Sequence, residues 1–550
     1  WLRAQVLGEL ADLAEGRGDT GAVEAYHAQA IGLLETNYPN SPALLSSKAQ
    51  WAAYLARSGE TERALATYRE LVGNVDGKPA AALSRLLVPF FDLLTDGGVA
   101  QDEAAADLFH ASQLLQRPGL AQTQAVLARE LSGGSDEASQ LFRKAVNLRR
   151  SVEQLRNRIA LIEGQAETDP MAAEQLLSQR ATLQGLEAEQ LALQDRLAQY
   201  PRFRAVSDGR VTLEELQATL GTDEGYLKLA TLEGAIFAVF ATADSARAYR
   251  LDIDPEALEE EVDALRATIA YVEGGQTLTF PFDIERSRAL YRSLFDPVDD
   301  QLASLRHLVF EPDGAMLRLP ANLLVRDDDS VDRYIERITQ GGDEYDFTGT
   351  NWLGRAVRIS TAVSPSAFRD ARNAPRSSAQ NEYIGFGENT PLTEARGTTG
   401  TRTALAGGAD CLWAPSIWDY PIRADELYTA ARSLGAAGAE ERILTGDRFT
   451  DTAVSAMKDL DEYRILHFAT HGLVTAPQPE CPPRPALLTS FGDAQSDGLL
   501  SFAEIFDLEI DADLVILSAC DTAGAATLGA SLLRDPPTDM MTTDRATTSL

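Results

Sequence analysis

Two short segments in the last hundred residues hold the residue types of a nucleophile and its base. The segment "YRILHFATHGL" sets His471 and Gly472 just past an apolar run, Ile465 to Ala469, and "ADLVILSACDTAG" sets Cys520 just past another, Leu514 to Ala519. A thiolate is a nucleophile, and an imidazole beside it lowers the thiol pKa and later returns the proton to a leaving amine. Either residue alone reads as structural: an inert thiol closing a buried strand, or a packed histidine. The chain has five histidines, and two of them, His467 and His471, fall in the strand segment expected beside the cysteine. His467 lies inside its apolar run and is expected to pack into the sheet. Cys411 and Cys481 lie in an insertion and a Pro-rich loop, without a strand end or a histidine close in sequence.

Pairing two residues 49 positions apart requires a scaffold that delivers both to one place. Two buried parallel strands do so, because the C-terminal edge of an open parallel sheet is where reactive groups and ligands assemble. Upstream, "YLKLAT", "AIFAVFAT" and "ARAYRL" read as strands and "EALEEEVDALRATIAYV" as a helix. The segments "HLVFEPDGAMLRLPANLLV", "RAVRISTAV" and "EYIGFG" then supply short apolar runs with loops and helices between them. This order predicts a mostly parallel sheet covered on both faces. The stretch from about 373 to 419, rich in Gly, Ala, Ser and Thr, reads as a long mobile insertion.

The first 150 residues carry apolar positions at helical spacing, interrupted by turns at Gly18-Asp19, Gly59-Glu60, Gly97-Gly98 and Gly133-Gly134. Each turn is followed by a small residue in an apolar stretch: Ala22, Ala64, Ala104 and Ala138. Stacked helical hairpins are the expectation, with an ordinary helical domain as the alternative. Between Val152 and Tyr200 the apolar steps alternate between three and four, the seam of a coiled-coil hairpin. Its runs are Val152, Leu155, Ile159, Ile162 and then Leu176 through Tyr200, broken at Thr168-Asp169-Pro170.

With 49 Lys and Arg against 83 Asp and Glu, the net charge is −34, a field that repels phosphate backbones and argues against direct nucleic-acid binding. No run of about 18 apolar residues is present, which argues against a membrane span. Three cysteines in 550 residues fit free thiols in a reducing compartment, so a cytoplasmic location is expected. The chain opens at Trp1 and reads as a fragment, leaving an upstream targeting segment open.

The helical segments "LGELADLAEGRGDTGAVEAYHAQAIGLL" and "WAAYLARSGETERALATYRELV" resemble tetratricopeptide repeats. The His-Gly and Ser-Ala-Cys-Asp-Thr segments, with "DGLLSFAEIFDLEIDADLV" between them, resemble the CHAT family, caspase-like domains found attached to such repeats. The chain thus reads as multidomain: a coiled-coil hairpin over 151–200 from its heptad spacing and, as the resemblances imply, repeats over 1–150 and an α/β caspase-like domain over 206–550. After "CDTAG" the family continues with a further helix and strands, so this domain is expected to be incomplete at its C-terminus. The resemblance further implies that Cys520 is the nucleophile of a cysteine endopeptidase, that His471 is its general base and acid, and that the N–H groups of Gly472 and Cys520 form an oxyanion hole. No metal or cofactor is implied. Asp521 either favours a basic P1 side chain or caps the helix beginning there, and the loop acids Asp493 and Asp497 either reach the pocket or are solvated. A protein substrate or regulatory protein is the expected partner of the repeats, in a signalling or defence role in bacteria. The competing reading is a catalytically inactive scaffold acting only as a protein-interaction module.

Overall fold

The computed structural model describes residues 2–38, 41–73, 83–115, single positions between 141 and 196, 210–269, 271–273, 276–392, 413, 415–435, 438–473, 485–492, 496–501, 504–505 and 507–519. Six helices open the chain: α1 (Leu2–Glu15), α2 (Thr20–Asn37), α3 (Pro42–Arg57), α4 (Thr61–Gly73), α5 (Leu83–Thr95) and α6 (Gln101–Ser112). The expected turns separate the members of each hairpin, and Gly18, Gly59 and Gly97 adopt φ of 72°, 83° and 83°, where a side chain would be strained. The Asp19 side chain caps α2 by accepting from Ala22 N, and Ser41 caps α3 with Pro42 in its first turn. Ala64 and Ala104 are fully buried, as close helix approach requires. Gly133-Gly134 and Ala138 lie outside the described residues.

At the described positions between 151 and 196 the chain is helical, and the seam is legible in the burial. Val152, Leu155, Ile159 and Leu193 are buried, while Ser151, Gln175, Gly185 and Glu189 are exposed. The break at Thr168-Asp169-Pro170 lies outside the described residues. Among the described residues no helix is long and apolar enough to cross a membrane.

Beyond α7 (Leu213–Thr219), closed by a capping box between Thr212 and Glu215, come β1 (Glu224–Leu232), β2 (Ala235–Thr242) and β3 (Ala246–Arg250), an antiparallel meander. Next are α8 (Pro255–Ile269), the small hairpin β4 (Tyr271–Glu273) and β5 (Gln276–Leu278), α9 (Ile284–Phe295), β6 (His307–Glu311), β7 (Arg358–Thr361) and α10 (Pro365–Asn373). The predicted helix thus stops at Ile269: Tyr271 and Val272 precede a Gly-Gly pair, a hairpin signal that outranks the helical periodicity. Only the first five residues of "HLVFEPDGAMLRLPANLLV" form a strand. Pro312 and Pro320, with Gly314 at φ 56°, turn the remainder into 3₁₀ turns.

The expectation of a mostly parallel sheet is met in only part of the molecule, because the strands divide into two main sheets. The first has the order β3-β2-β1-β6-β7, antiparallel on one side and parallel on the other. The second is fully parallel: β8 (Asn381–Gly387), β9 (Ile443–Leu444), β10 (Tyr463–Ala469) and β14 (Leu514–Ser518), in the order β14-β10-β8-β9. Between β10 and β14 the chain forms a small antiparallel sheet of β11 (Gly472–Leu473), β12 (Ala486–Leu488) and β13 (Leu499–Ser501). The strand expected at "EYIGFG" is β8, so the stretch from 373 to 419 is not insertion throughout but contains a core strand. Its glycines are there because neighbours lie close: a Cβ on Gly387 would come 2.4 Å from Ala469 O.

One face of the first sheet, with Tyr226, Phe237, Val239 and Val309, shares a continuous core with Phe90 and Phe91 of α5 and Phe109 of α6. The other face packs on α8 and α9 through Phe240, Leu265, Leu290 and Phe310. Phe91 meets Phe237 edge to face at 5.3 Å. Exposed ion pairs flank this contact, Arg85 with Glu233 and Arg250 with Asp92. Such pairs contribute about 0–1 kcal/mol each, whereas burying one Phe contributes about 1.5–3 kcal/mol. The apolar layer, and not the charges, fixes the helical array on the sheet.

Near the N-terminal ends of β1, β6 and β7, Glu224 accepts from Gly221 N at 2.9 Å, from His307 Nδ1 at 2.8 Å and from Arg372 at 2.6 Å. His307 Nε2 in turn meets Ser360 Oγ at 2.8 Å, so the line cross-links three strands and α10. Burial alone would raise the Glu224 carboxyl. The three donors outweigh it and hold the pKa at about 2, against 4.5 unperturbed.

Two outcomes follow for stability. Phe91→Ala is expected to cost about 3–5 kcal/mol, read as a lowered thermal midpoint with loss of protection in both α5 and β2. The folded pKa of Glu224 is depressed, so its contribution is present above about pH 4.5 and is lost as pH falls toward 2. Glu224→Gln is therefore expected to lower the midpoint at pH 7 and to flatten its decline between pH 5 and pH 2 in acid titrations followed by circular dichroism.

Candidate functional site

Strands β10 and β14 pair in parallel with Ile465 opposite Leu514 and Ala469 opposite Ser518, so both run out at the same sheet edge. The alternation of β10 splits its side chains. Leu466 and Phe468 enter one core with Phe386, Phe449 and Val454, while Ile465 and Ala469 face α11 (Asp425–Ser433) with Tyr383 and Leu427. His467 is on the α11 side and is 2% exposed, as its place inside the run predicts. Burial pushes its pKa down, against the attraction of Glu426.

Past the strand end the backbone is pinned by two sheets at once. Thr470 N donates to Ser518 O at 3.2 Å, prolonging the parallel ladder, and Thr470 Oγ1 donates to Leu488 O at 2.6 Å. Leu488 N donates to His471 O at 2.9 Å. His471 and Leu488 are thus a hydrogen-bonded antiparallel pair, which makes Gly472 and Leu487 the next, non-bonded pair. The N–H of Gly472 consequently turns away from β12.

The His471 ring is half-buried, and its Nε2 lies 2.7 Å from the carbonyl oxygen of Tyr420. A carbonyl can only accept, so Nε2 carries the hydrogen and the proton-accepting lone pair sits on Nδ1. Tyr420 follows the turn Pro415–Asp419, which Trp418 anchors: its indole Nε1 donates to Thr489 O at 3.0 Å, and its own carbonyl accepts from Asn389 Nδ2 at 2.8 Å. Trp418 packs with Leu473 and Leu488, the residues flanking the His471 corner.

The end of β8 closes the other side. Glu388 has φ 49°, a rare conformation for a residue with a side chain, and the surroundings hold it there. Its carbonyl accepts from Gly446 N at 2.8 Å and its carboxylate from Ala424 N at 2.9 Å, fixing the start of α11.

His471 and Gly472 therefore stand together at the edge to which the Cys520 strand leads. Cys520 and Asp521 lie outside the described residues, as do Cys411, Cys481 and Asp493. Asp497 N donates to the buried Asp451 carboxylate, and Asp497 Oδ1 accepts from Leu499 N, so this acid organises its own turn. Burial pushes Asp451 up, whereas Asp497 itself is exposed. Among the described residues no group of three or more His, Cys, Asp or Glu side chains converges as a metal site requires. Sequence reasoning missed Tyr420, Trp418, Glu388 and Glu426. The contribution of Tyr420 is a backbone carbonyl, which no residue type encodes, whereas the bulky apolar residues Ile417 and Trp418 between Pro415 and Pro421 were a usable sign of an anchored turn.

Comparison with known families matches residues 285–534 to the CHAT domain. The match starts inside α9, after the β1 to β3 meander that completes the first sheet. No curated protein matches the chain.

Gly387→Ala would drive a methyl into the Ala469 carbonyl and separate β8 from β10. A loss of about 1–3 kcal/mol is expected. Faster amide hydrogen exchange in 463–469, with 224–232 unchanged, is the measurement that checks it.

Proposed function

The chain carries a CHAT domain, of a caspase-like family, and from that premise we propose that it is a cysteine endopeptidase with Cys520 as nucleophile and His471 as its base and acid. The observation that supports this most is the His471 corner. Its ring is oriented by Tyr420 so that Nδ1 is the basic nitrogen, and it stands beside the parallel strand that leads to Cys520. In this reading Nδ1 takes the thiol proton and the thiolate attacks the scissile carbonyl. The oxyanion accepts hydrogen bonds from the N–H groups of Gly472 and Cys520. The tetrahedral adduct collapses to a thioester as the imidazolium gives its proton to the leaving amine, and water then hydrolyses the thioester. Asp521 is proposed as the helix cap rather than a determinant of specificity.

The helical hairpins, which resemble tetratricopeptide repeats, are proposed to recruit a protein substrate or regulator in the cytoplasm. Leu2, Val6, Leu10 and Leu13 are all exposed along one face of α1, an apolar stripe of the kind a protein partner covers. Because the array shares a core with the first sheet, a partner bound there is held at a fixed position relative to that sheet.

Intact-mass labelling with acyloxymethyl-ketone peptides tests the assignment. A single label is expected on the wild-type chain, none on Cys520→Ala, and a rate at least about 10²-fold lower on His471→Ala. Undiminished labelling of Cys520→Ala would overturn it, and absence of labelling in all three would favour the inactive scaffold.

A further inference from the structure

Beneath the edge where His471 stands, a line of polar groups crosses the second sheet from β8 to β14. The Tyr383 hydroxyl has one hydrogen, which it donates to Leu427 O at 3.2 Å. It therefore accepts from His467 Nδ1, 3.1 Å away. With Nδ1 carrying a hydrogen, His467 Nε2 faces Glu426 Oε1 at 3.3 Å, a contact that holds the two together when the ring also carries a hydrogen on Nε2. The other carboxylate oxygen, Glu426 Oε2, accepts from Ser518 Oγ at 2.8 Å.

Glu426 sits in the first turn of α11, whose start Glu388 fixes. One carboxylate thus touches the histidine strand through His467 and the cysteine strand through Ser518, two residues before Cys520. Among the described residues β14 has β10 as its one strand neighbour, and Leu514, Val515 and Leu517 are exposed. A strand paired on one side has half the ladder of a central strand, so side-chain ties weigh more in fixing its position.

We propose that Glu426 is a positioning residue that clamps the strand bearing Cys520 to the strand bearing His471. Its catalytic consequence rests on the peptidase reading above, whereas the clamp itself does not. The two oxygens of Glu426 have different partners: Oε2 needs only to accept, and Oε1 faces a ring nitrogen. A glutamine can satisfy both, its oxygen accepting from Ser518 and its amide N–H donating to His467 Nε2. An alanine can satisfy neither.

The test uses the full chain as wild type, Glu426→Gln, Glu426→Ala, Ser518→Ala and the Glu426→Ala/Ser518→Ala pair. Amide exchange over 514–518, the rate of Cys520 alkylation by iodoacetamide, and the rate and concentration dependence of peptidyl-probe labelling are read on each. The expected result is about tenfold faster exchange over 514–518 in Glu426→Ala and Ser518→Ala, no further gain in the pair, and restoration in Glu426→Gln. Probe labelling should lose maximal rate with its half-saturating concentration unchanged. Should Glu426→Ala not fold, Ser518→Ala and Glu426→Gln carry the same comparison. Exchange and alkylation unchanged on losing Glu426 or Ser518, or a glutamine variant behaving like alanine, would overturn the clamp. If the 426 variants shift exchange while the wild type takes no probe, the clamp stands and the peptidase reading fails.

Discussion

The in-register parallel pairing of β10 with β14 is the constraint on which the rest of the site depends. Parallel strands run in one direction, so two segments far apart in sequence end at one edge. With Ala469 opposite Ser518, Thr470 and His471 follow β10 at the edge toward which β14 also runs. Everything else near His471 refines that placement: the β11 to β12 pairing turns the Gly472 N–H outward, and the Trp418 turn brings a carbonyl to the imidazole. The Trp418 and Tyr420 contacts select a tautomer, which the sheet alone cannot do.

The two ends of β14 are held by different chemistry. At its start Asp513 receives two hydrogen bonds from Arg464 of β10 and one from the Ser377 N–H, while Ser377 and Ser378 also bond Asp511. The segment carrying these serines leaves α10, whose Phe368 packs against the first sheet and whose Arg372 holds Glu224. Short contacts therefore run without a break from the helical array through the first sheet and α10 to the beginning of β14. At its far end the strand is tied by Ser518 to Glu426, within the second sheet's own layer.

How much of this was legible in the sequence depended on which atoms do the work. Apolar runs bounded by turn residues gave β2 to the residue, β14 to within one residue and β1 and β10 to within two residues at either end, and the inward place of His467 followed from its position inside its run. The seam between 152 and 193 was readable because burial follows side-chain type at a fixed period. The split into two sheets was not readable: strand periodicity reports that a segment is extended and buried but not which neighbour it pairs with. The small-residue composition around β8 pointed to an insertion, whereas Gly387 is small because the Ala469 carbonyl of the neighbouring strand lies against it.

Backbone groups mark the limit of such reading. The hydrogen bond that orients His471 ends on a carbonyl, the proposed oxyanion donors are amides, and Glu388 acts as much through its own left-handed backbone as through its carboxylate. A carbonyl or an amide is common to nearly every residue type, so these backbone contributions leave no motif. The side chains that do leave one, those of the proposed pair His471 and Cys520, are those whose chemistry has no backbone substitute. A site of this construction shows its reactive groups in the sequence and hides what aims them, and the aiming groups become visible only when the strand register is known.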